Sequence, residues 1–214
     1  MNCYGLGEKN KRSKVLTWLK KKTEDIIFLQ ETHSTSEIES NWKRVWEGEI
    51  YFSHGASNST GVAILIKKNE DIKVGNIRTI CQGREITHKN VNYCLVNNYS
   101  PNNDDQQFIE NIFLETHRSR DDYLIMAGDW NTVLDNNLDK LGGAAQHANK
   151  NYQNYINTII SDYGLCHIFR LSRGDEWVYT HFSKTYKTAS RQDFFLIDDR
   201  LSNFPVCNTN VSHG

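Results

Sequence analysis

The residues of this chain that could do chemistry are polar side chains next to short apolar runs. Glu31, Tyr99 and Asp129 each directly follow such a run, Asn131 comes two residues after Asp129, and Asp193 begins a late apolar run. Carboxylates bind Mg²⁺, a phenol can donate to a phosphate oxygen, and an amide can orient water. Phosphodiester hydrolysis needs these functions together. Each residue alone also has an ordinary structural interpretation, as a cap, a turn or packing.

The elements that would position these side chains are short strands alternating with helices. Apolar runs predict strands over residues 25–30, 61–66, 92–98, 123–127, 178–182 and 193–197. Helical periodicity predicts helices over residues 13–22 and 149–163, and a further helix that is N-capped by Asp104 and carries Phe108, Ile109, Ile112 and Phe113. This alternation indicates an α/β protein, and catalytic groups of such proteins gather where strands end.

Composition excludes several classes of protein. With 24% charged and 38% hydrophobic residues, the chain is neither disordered nor a membrane protein, and no apolar run could span a bilayer. The five Cys are scattered singly, which argues against a disulfide framework or a zinc site. The net charge of -1 means that DNA contacts must come from local patches, of which residues 9–22 and 184–191 are candidates. Either patch has an equally good interpretation as solvated surface.

Histidine and tryptophan do not by themselves indicate a site. None of the histidines at positions 54, 88, 117, 147 and 167 has a partner at metal-ligand spacing, so core or surface placement is the better interpretation. His33, within LQETH, is expected to be structural or to lie near the phosphate. Trp18, Trp42 and Trp46 are predicted to pack in the core.

Seven motifs occur in one order along nearly the whole chain. They are Asn2-x-x-Gly5-Leu6, LQETH (29–33), STGVAILI (59–66), NNYSPN (97–102), GDWN (128–131), YTHFS (179–183) and SRQDFFLI (190–197). In this order the chain resembles the endonuclease domain of LINE-type non-LTR retrotransposons. It is similar, more distantly, to apurinic/apyrimidinic endonucleases, exonuclease III and DNase I, which are members of the endonuclease/exonuclease/phosphatase superfamily. The resemblance implies one DNase I-like domain over residues 1–214, a four-layer α/β sandwich of two packed β-sheets flanked by helices.

The resemblance also implies roles for individual residues. Glu31, helped by Asn2, would bind the metal, which is Mg²⁺ with Mn²⁺ as an alternative. Tyr99 would lie beside the scissile phosphate, and Asp129, with Asn131 beside it, would position or deprotonate the attacking water. Asp193 would orient the catalytic histidine. Contacts to DNA phosphate would come from Asn102, Thr180 and Arg191.

The chain departs from the family pattern at its end. The family closes on Ser-Asp-His, whereas this chain ends Val211-Ser212-His213-Gly214. Either His213 is a degenerate form of the catalytic histidine, or Ser-Asp-His lies beyond Gly214; we expect the second. The first strand of the family would also be largely missing before Met1, so the chain is expected to be truncated at both ends and a poor nuclease as it stands. Trp130, where the family has Phe, and Gln192, where an apolar residue is usual, are expected to matter little.

The implied function is nicking of one DNA strand to leave a 3′-hydroxyl for target-primed reverse transcription. The partners would be DNA and a reverse transcriptase in the same longer polyprotein, the place would be the nucleus, and no membrane is involved. Two alternatives stay open. The chain could be another enzyme of this fold, such as a repair endonuclease or a phosphatase acting on inositol phosphates or sphingomyelin. It could also be a fragment that binds DNA or protein without cleaving. The sequence leaves open the target site, the host and the oligomeric state.

Overall fold

The computed structural model describes residues 1–55, 60–74, 91–116, 122–142 and 150–203, and the backbone alone of residues 83–88. The strands are β1 (Ile26–Gln30), β2 (Gly48–Ser53), β3 (Val62–Lys67), β4 (Ile72–Val74), β5 (Gly83–His88), β6 (Val91–Tyr99), β7 (Tyr123–Asp129), β8 (Lys140–Leu141), β9 (Leu165–His167), β10 (His181–Ser183), β11 (Thr188–Ser190) and β12 (Asp193–Asp198). The helices are α1 (Lys9–Lys20), α2 (Glu39–Lys43), α3 (Gln106–Glu115), α4 (Lys150–Asp162) and α5 (Ile168–Arg173).

These strands form two main sheets and a small hairpin sheet. The larger sheet has the order β4-β5-β6-β7-β12-β9, the smaller has the order β1-β3-β2, and the hairpin sheet has the order β10-β11-β8. Strands β6 and β7 pair in parallel, and the intervening α3 makes the crossover that a parallel pair requires. The start of the chain runs beside β1, because Asn2 forms a parallel bridge with Gln30.

The two main sheets pack face to face because their strands alternate strictly. In β7, Leu124 and Met126 belong to the core on the outer, helical side of the larger sheet. Ala127 belongs to the core between the sheets, where it meets Phe28 and Ile64 of the smaller sheet. Side chains of a strand point alternately to opposite faces, so a strand covered on both sides reads as continuously apolar.

Helices cover both outer faces. Leu16 of α1 and Trp42 of α2 pack on the smaller sheet, and Ile112 of α3 and Ile156 of α4 pack on the larger one. The order of layers is therefore helix, sheet, sheet, helix, and the predicted four-layer α/β sandwich is confirmed.

Most predicted elements are present, with shifts at their ends. The predicted helix over residues 13–22 begins earlier, at Lys9, because the Glu8 carboxylate accepts hydrogen bonds from the backbone N–H groups of Asn10 and Lys11. The predicted cap Asp104 is wrong, since Asp105 caps α3 by accepting from the N–H of Phe108.

Two further sequence predictions are corrected. The predicted strand over residues 178–182 is wrong in its bounds, since β10 is confined to His181–Ser183. Trp42 and Trp46 are buried as expected, but Trp18 is largely exposed and lies under the ammonium group of Lys22. Among the described residues, no helix is both long enough and apolar enough to cross a bilayer.

Candidate active site

Three of the predicted site residues form one row across adjacent strands of the larger sheet. In the parallel pair Tyr99 is opposite Asp129, and in the antiparallel pair Asp193 is opposite Asp129. Residues directly opposite one another project to the same face, with neighbours about 5 Å apart. Alternation makes that the inner face, since Ala127 and Phe195, two residues away, belong to the core between the sheets. The row therefore lies on the inner face of the larger sheet, at the edge where β6 and β7 end and β12 begins.

The smaller sheet brings Glu31 and Asn2 to the same place. Tyr99 donates its hydroxyl hydrogen to Glu31 Oε1 at 2.9 Å. The Asn2 amide donates to Glu31 Oε1 at 2.8 Å and to Asp129 Oδ2 at 3.3 Å. One amide thus joins a carboxylate from each sheet. The structure brings together Asn2, Glu31, Tyr99, Asp129 and Asp193, five of the residues predicted from the sequence.

The loop after β1 holds Glu31 in an unusual backbone conformation. Glu31 has φ 50°, and its carbonyl accepts a hydrogen bond from the N–H of Gly5. Gly5 leaves no room for a side chain, because an added Cβ would lie 2.5 Å from Nδ1 of His33. Non-glycine residues held at positive φ are costly and cluster at functional sites. His33 is therefore a packing residue of this loop, one of the two roles that its motif allowed.

The buried side chain of Asn97 links the two sheets next to the site. Asn97 is fully buried, and its amide donates to the carbonyls of Leu29 and Ala63 in the smaller sheet at 3.0 and 2.9 Å. Its carbonyl oxygen accepts from the Gln30 side chain at 2.6 Å. Because Asn97 lies two residues before Tyr99, it faces the same way, and these bonds fix the distance between Tyr99 and Glu31.

Asp129 is held by its neighbours in the GDWN turn. Its Oδ1 accepts from the backbone N–H of Asn131 at 3.0 Å, and Asn131 donates its side-chain amide to the carbonyl of Ser100 at 2.6 Å. Asn131 adopts φ 49°, a conformation that asparagine tolerates better than most residues. Asn131 therefore positions Asp129 and ties β7 to the end of β6.

The electrostatics of the site follow from burial and clustered charge. Burial, and next the negative charge of Asp193, raise the pKa of the Asp129 carboxyl, while hydrogen bonds from Asn131 and Asn2 oppose this shift. Burial and then the hydrogen bond to Glu31 raise the pKa of the Tyr99 phenol. Tyr99 therefore keeps its proton and stays a donor, and Asp129 is a better base than an exposed aspartate.

Thr180 and Asp193 complete the site from the side of the hairpin. Thr180 Oγ1 accepts from the backbone N–H groups of Gln192 and Asp193, both at 3.0 Å. With those two lone-pair directions occupied, its hydroxyl hydrogen is available to donate to a substrate oxygen. Asp193 Oδ1 is buried and has no hydrogen-bond partner among the described residues.

Arg191 does not lie where a phosphate contact requires. The prediction placed its guanidinium against DNA, but Arg191 is only 2% exposed and lies 3.5 Å from the centre of the Phe169 ring. Its Nε is 4.0 Å from Oδ1 of Asp139, which also pairs with Arg170. In this structure Arg191 is a buried cation between Asp139 and Phe169, and the guanidinium does not reach solvent.

Two further predicted residues lie outside this cluster. Asn102 is exposed on the loop that follows β6, close in sequence to Tyr99. His213 lies outside the described residues, so its role stays a prediction.

The donor set fits a magnesium ion that shares its coordination with substrate and water. Among the described residues, no three His, Cys, Asp or Glu side chains converge into a complete metal cage. Mg²⁺ does not require one, because it typically uses one or two carboxylates and fills the remaining positions with water and phosphate oxygens. Glu31 provides a carboxylate of that kind; the nitrogen of the Asn2 amide faces Glu31, and its oxygen accepts from the backbone N–H of Tyr4.

Sequence reasoning missed two residues of this region. Asn97 has no distinct signal in the sequence, because β6 also contains Asn92 and Asn98 and only the structure shows which amide lies between the sheets. Tyr4 was not singled out at all. It is exposed, yet Glu31, Asp193 and Asp129 all act on its phenol.

With this geometry established, comparison with known proteins decides the family. The sequence profile described as "Endonuclease/Exonuclease/phosphatase family" matches residues 1–205. The chain belongs to the endonuclease/exonuclease/phosphatase family. Members of this family are phosphodiesterases, nucleases and phosphatases, and they generally depend on a divalent metal. The family predicted from the motifs is therefore confirmed.

One curated relative is a transposon protein. The "Transposon TX1 uncharacterized 149 kDa protein" of Xenopus laevis is 31% identical over 143 residues, which is 63% of this chain and 11% of that protein. The chain thus spans about a tenth of the length of the curated relative that it matches. The predicted resemblance to transposon-encoded proteins is confirmed.

Solved structures confirm the fold of the family. The catalytic domain of Xenopus laevis APE2 has a TM-score of 0.68 at 18% identity, over 94% of this chain and 82% of that one. A 3′-5′ exonuclease, NExo, from Neisseria meningitidis has a TM-score of 0.64 at 18% identity, over 90% and 83% of the two chains. Humanized D. rerio TDP2 has a TM-score of 0.63 at 17% identity, over 92% and 81%.

Proposed function

We propose that this member of the endonuclease/exonuclease/phosphatase family is a Mg²⁺-dependent DNA endonuclease that nicks one strand and leaves a 3′-hydroxyl. The observation that carries this proposal is the row Tyr99, Asp129 and Asp193, which faces the linked pair of Glu31 and Asn2. Together these residues place three functions on one small surface: a carboxylate that can bind metal (Glu31), a proton acceptor (Asp129) and a protonated phenol (Tyr99). Hydrolysis of a phosphate ester uses all three.

The residues have distinct parts in the proposed reaction. Asp129 orients a water and takes its proton as the water oxygen forms a bond to phosphorus. The bond from phosphorus to the 3′-oxygen then breaks, and that oxygen leaves as the 3′-hydroxyl once it has gained a proton. Tyr99 and Thr180 donate hydrogen bonds to the non-bridging phosphate oxygens. Mg²⁺, bound by Glu31 with Asn2, would supply positive charge that neutralises those oxygens as negative charge grows.

The surface that would contact DNA lies beside the site, on residues 181–190, which we call the aromatic hairpin. Phe182 is 60% exposed and Tyr186 is 78% exposed, and Lys184 and Lys187 are exposed around them. Lysines bind phosphate and exposed rings pack against bases or sugars, so this composition suits DNA. The hairpin joins the site through Thr180, whose backbone N–H donates to the carbonyl of Ser190.

The biological setting of the reaction is part of the same proposal. The relative that matches this chain is a transposon protein nearly an order of magnitude longer than the matched region. We propose that the chain is the endonuclease domain of a LINE-type polyprotein, that a reverse transcriptase of that polyprotein extends the 3′-hydroxyl, and that cleavage takes place in the nucleus.

The test is a nicking assay on supercoiled plasmid with Mg²⁺, compared with the same reaction in EDTA. Glu31→Gln should abolish nicking because it removes the negative charge that would bind the metal while keeping an oxygen that can accept from Tyr99. Glu24→Gln, on the exposed surface, is the matched control and should nick as the wild type does. Nicking by Glu31→Gln at the wild-type rate would disprove the role of Glu31.

The same assay separates the proposal from the other activities of this fold. Nicked product should be extended by a DNA polymerase without further treatment, which requires a 3′-hydroxyl. Preference for abasic duplex over intact plasmid would instead indicate a repair endonuclease, and release of phosphate from a phosphoinositide would indicate a phosphatase. DNA binding without any cleavage, in the presence of Mg²⁺ or Mn²⁺, would indicate a fragment that only binds.

A further inference from the structure

Tyr4 occupies a position where its side chain contributes nothing to the core. It is 62% exposed and adopts φ 47°, which is uncommon for an aromatic residue. Glycine would adopt this conformation more easily, and it would lose no buried contact. A large ring kept in a strained and solvent-exposed position calls for a functional explanation.

Hydrogen bonds hold both the N–H and the carbonyl of Tyr4. Its N–H donates to Asn2 Oδ1 at 3.0 Å, and its carbonyl accepts from Nζ of Lys11 at 2.8 Å. Lys11 also donates to the carbonyl of Cys3 at 2.9 Å. The same Asn2 amide group donates to Glu31 and Asp129, so the backbone of Tyr4 is bonded directly to a residue of the site.

Tyr4 lies at the edge of the site. Its N–H donates to Asn2 Oδ1, and the nitrogen of the same amide donates to Glu31 and Asp129. The next residue, Gly5, donates its N–H to the carbonyl of Glu31 at 2.8 Å. The backbone on both sides of the Tyr4 side chain is therefore bonded to residues of the site, and its exposed ring is within reach of a nucleotide whose phosphate enters the site.

We propose that Tyr4 is a substrate-contacting residue, and that its ring stacks on the nucleotide next to the scissile phosphate. This inference rests on the proposed DNA-cleaving function. An exposed tyrosine ring has only two side-chain torsions and loses little entropy when a base or sugar packs on it, so it is well suited to this contact. Stacking does not read base sequence, so Tyr4 would favour nucleotides that can leave the helical stack over any particular base.

The experiment compares Tyr4→Ala and Tyr4→Phe with the wild type. Binding of short fluorescein-labelled duplex and single-stranded DNA is measured by fluorescence anisotropy in EDTA, and nicking of plasmid is measured with Mg²⁺. Loss of one stacked base corresponds to binding about 10-fold to 100-fold weaker. Tyr4→Ala should show a loss of this order in Kd and a matching rise in KM with a smaller change in kcat, and Tyr4→Phe should stay near the wild type.

Leu114→Ala is the matched control, because Leu114 is also a large exposed apolar residue but lies on α3, which packs on the outer face of the larger sheet. It should leave Kd unchanged. Thermal unfolding by circular dichroism checks the fold, and Tyr4→Gly should unfold at the same temperature as the wild type or higher, since it removes backbone strain.

The outcomes separate this inference from the proposed function. If the wild type nicks DNA but Tyr4→Ala binds and nicks equally well, the contact does not exist. If Tyr4→Phe loses as much as Tyr4→Ala, the hydroxyl makes the contact and the stacking proposal is wrong. If the wild type binds DNA without nicking and Tyr4→Ala weakens binding, the contact stands and the nuclease function fails. If the wild type binds no DNA, both fail.

Discussion

His167 should make this fold sensitive to acid. Its imidazole lies against Phe194, with 5.1 Å between the ring centres, and neither ring nitrogen has a hydrogen-bond partner among the described residues. Burial, followed by the positive charges of Arg191 and Arg170, lowers the pKa of His167 to about 3. The ordinary value, 6.5, applies to the unfolded chain. Between these values the unfolded state binds more protons, so the free energy of unfolding falls as pH falls.

The size of the effect follows from this difference. An unfolded histidine of ordinary pKa gains about 0.8 kcal/mol from protonation at about pH 6 and about 2 kcal/mol at about pH 5. The folded state gains almost nothing at either pH, and this holds for any folded pKa below about 4. Acidification from about pH 7 to about pH 5 should therefore cost about 2 kcal/mol through this one residue, out of the 5–15 kcal/mol that is typical of a domain.

Urea unfolding of the wild type and of His167→Leu, followed by circular dichroism at the two pH values, isolates this contribution. Carboxylates and other histidines titrate in both proteins, so their effects cancel in the difference. His167→Leu should lose about 2 kcal/mol less than the wild type on acidification, whatever its stability at neutral pH. Equal losses would show that the imidazole protonates in the folded state as it does in the unfolded chain. Proton NMR should also show no titration of His167 down to about pH 4.

Three other perturbations test the site and its support. Asn97→Leu removes three buried hydrogen bonds, one from the Gln30 amide and two to carbonyls of the smaller sheet, so it should cost about 3 kcal/mol and lower Tm by about 6 to 12 °C in a thermal scan. Asp129→Asn should reduce nicking by about 10²-fold or more, yet raise the stability at neutral pH, because burial and Asp193 disfavour the ionised form; an active or a destabilised variant would contradict this. Lys184→Glu with Lys187→Glu should weaken DNA binding for every sequence and lower the slope of log Kd against log salt by about 2; unchanged affinity in a salt titration would exclude the aromatic hairpin from the DNA path.

Most of the site could be predicted because its functional side chains come directly after apolar strands in the sequence. Glu31, Tyr99 and Asp129 each follow an apolar run, and strands in a layered protein end at the edge of a sheet. The long apolar strands and the amphipathic helices were visible for the same reason, since periodicity reports which faces are buried.

What could not be predicted depends on contacts between distant parts of the chain. The Arg191 position in the sequence is compatible with exposure or burial, and only the placement of Phe169 and Asp139 decides for burial. Strand β9 and the hairpin strands β10 and β11 are only three residues each, too short for any periodicity to appear. Tyr4 could not be identified from the sequence, because its positive φ and its nearness to carboxylates from distant parts of the chain are properties of the folded structure.

The row formed by Tyr99, Asp129 and Asp193 continues the inward-facing positions of three core strands, and this has a consequence for how such a protein can change. A one-residue insertion or deletion within β7 would turn both Asp129 and Ala127 away from the inner face. A single change would then remove a residue of the site and disrupt the core between the sheets. The aromatic hairpin carries no such constraint, because its exposed rings belong to neither sheet of the sandwich. Under the proposed function, mutation could therefore exchange hairpin residues that contact DNA while the residues that cleave are retained, and target preference could change without loss of cleavage.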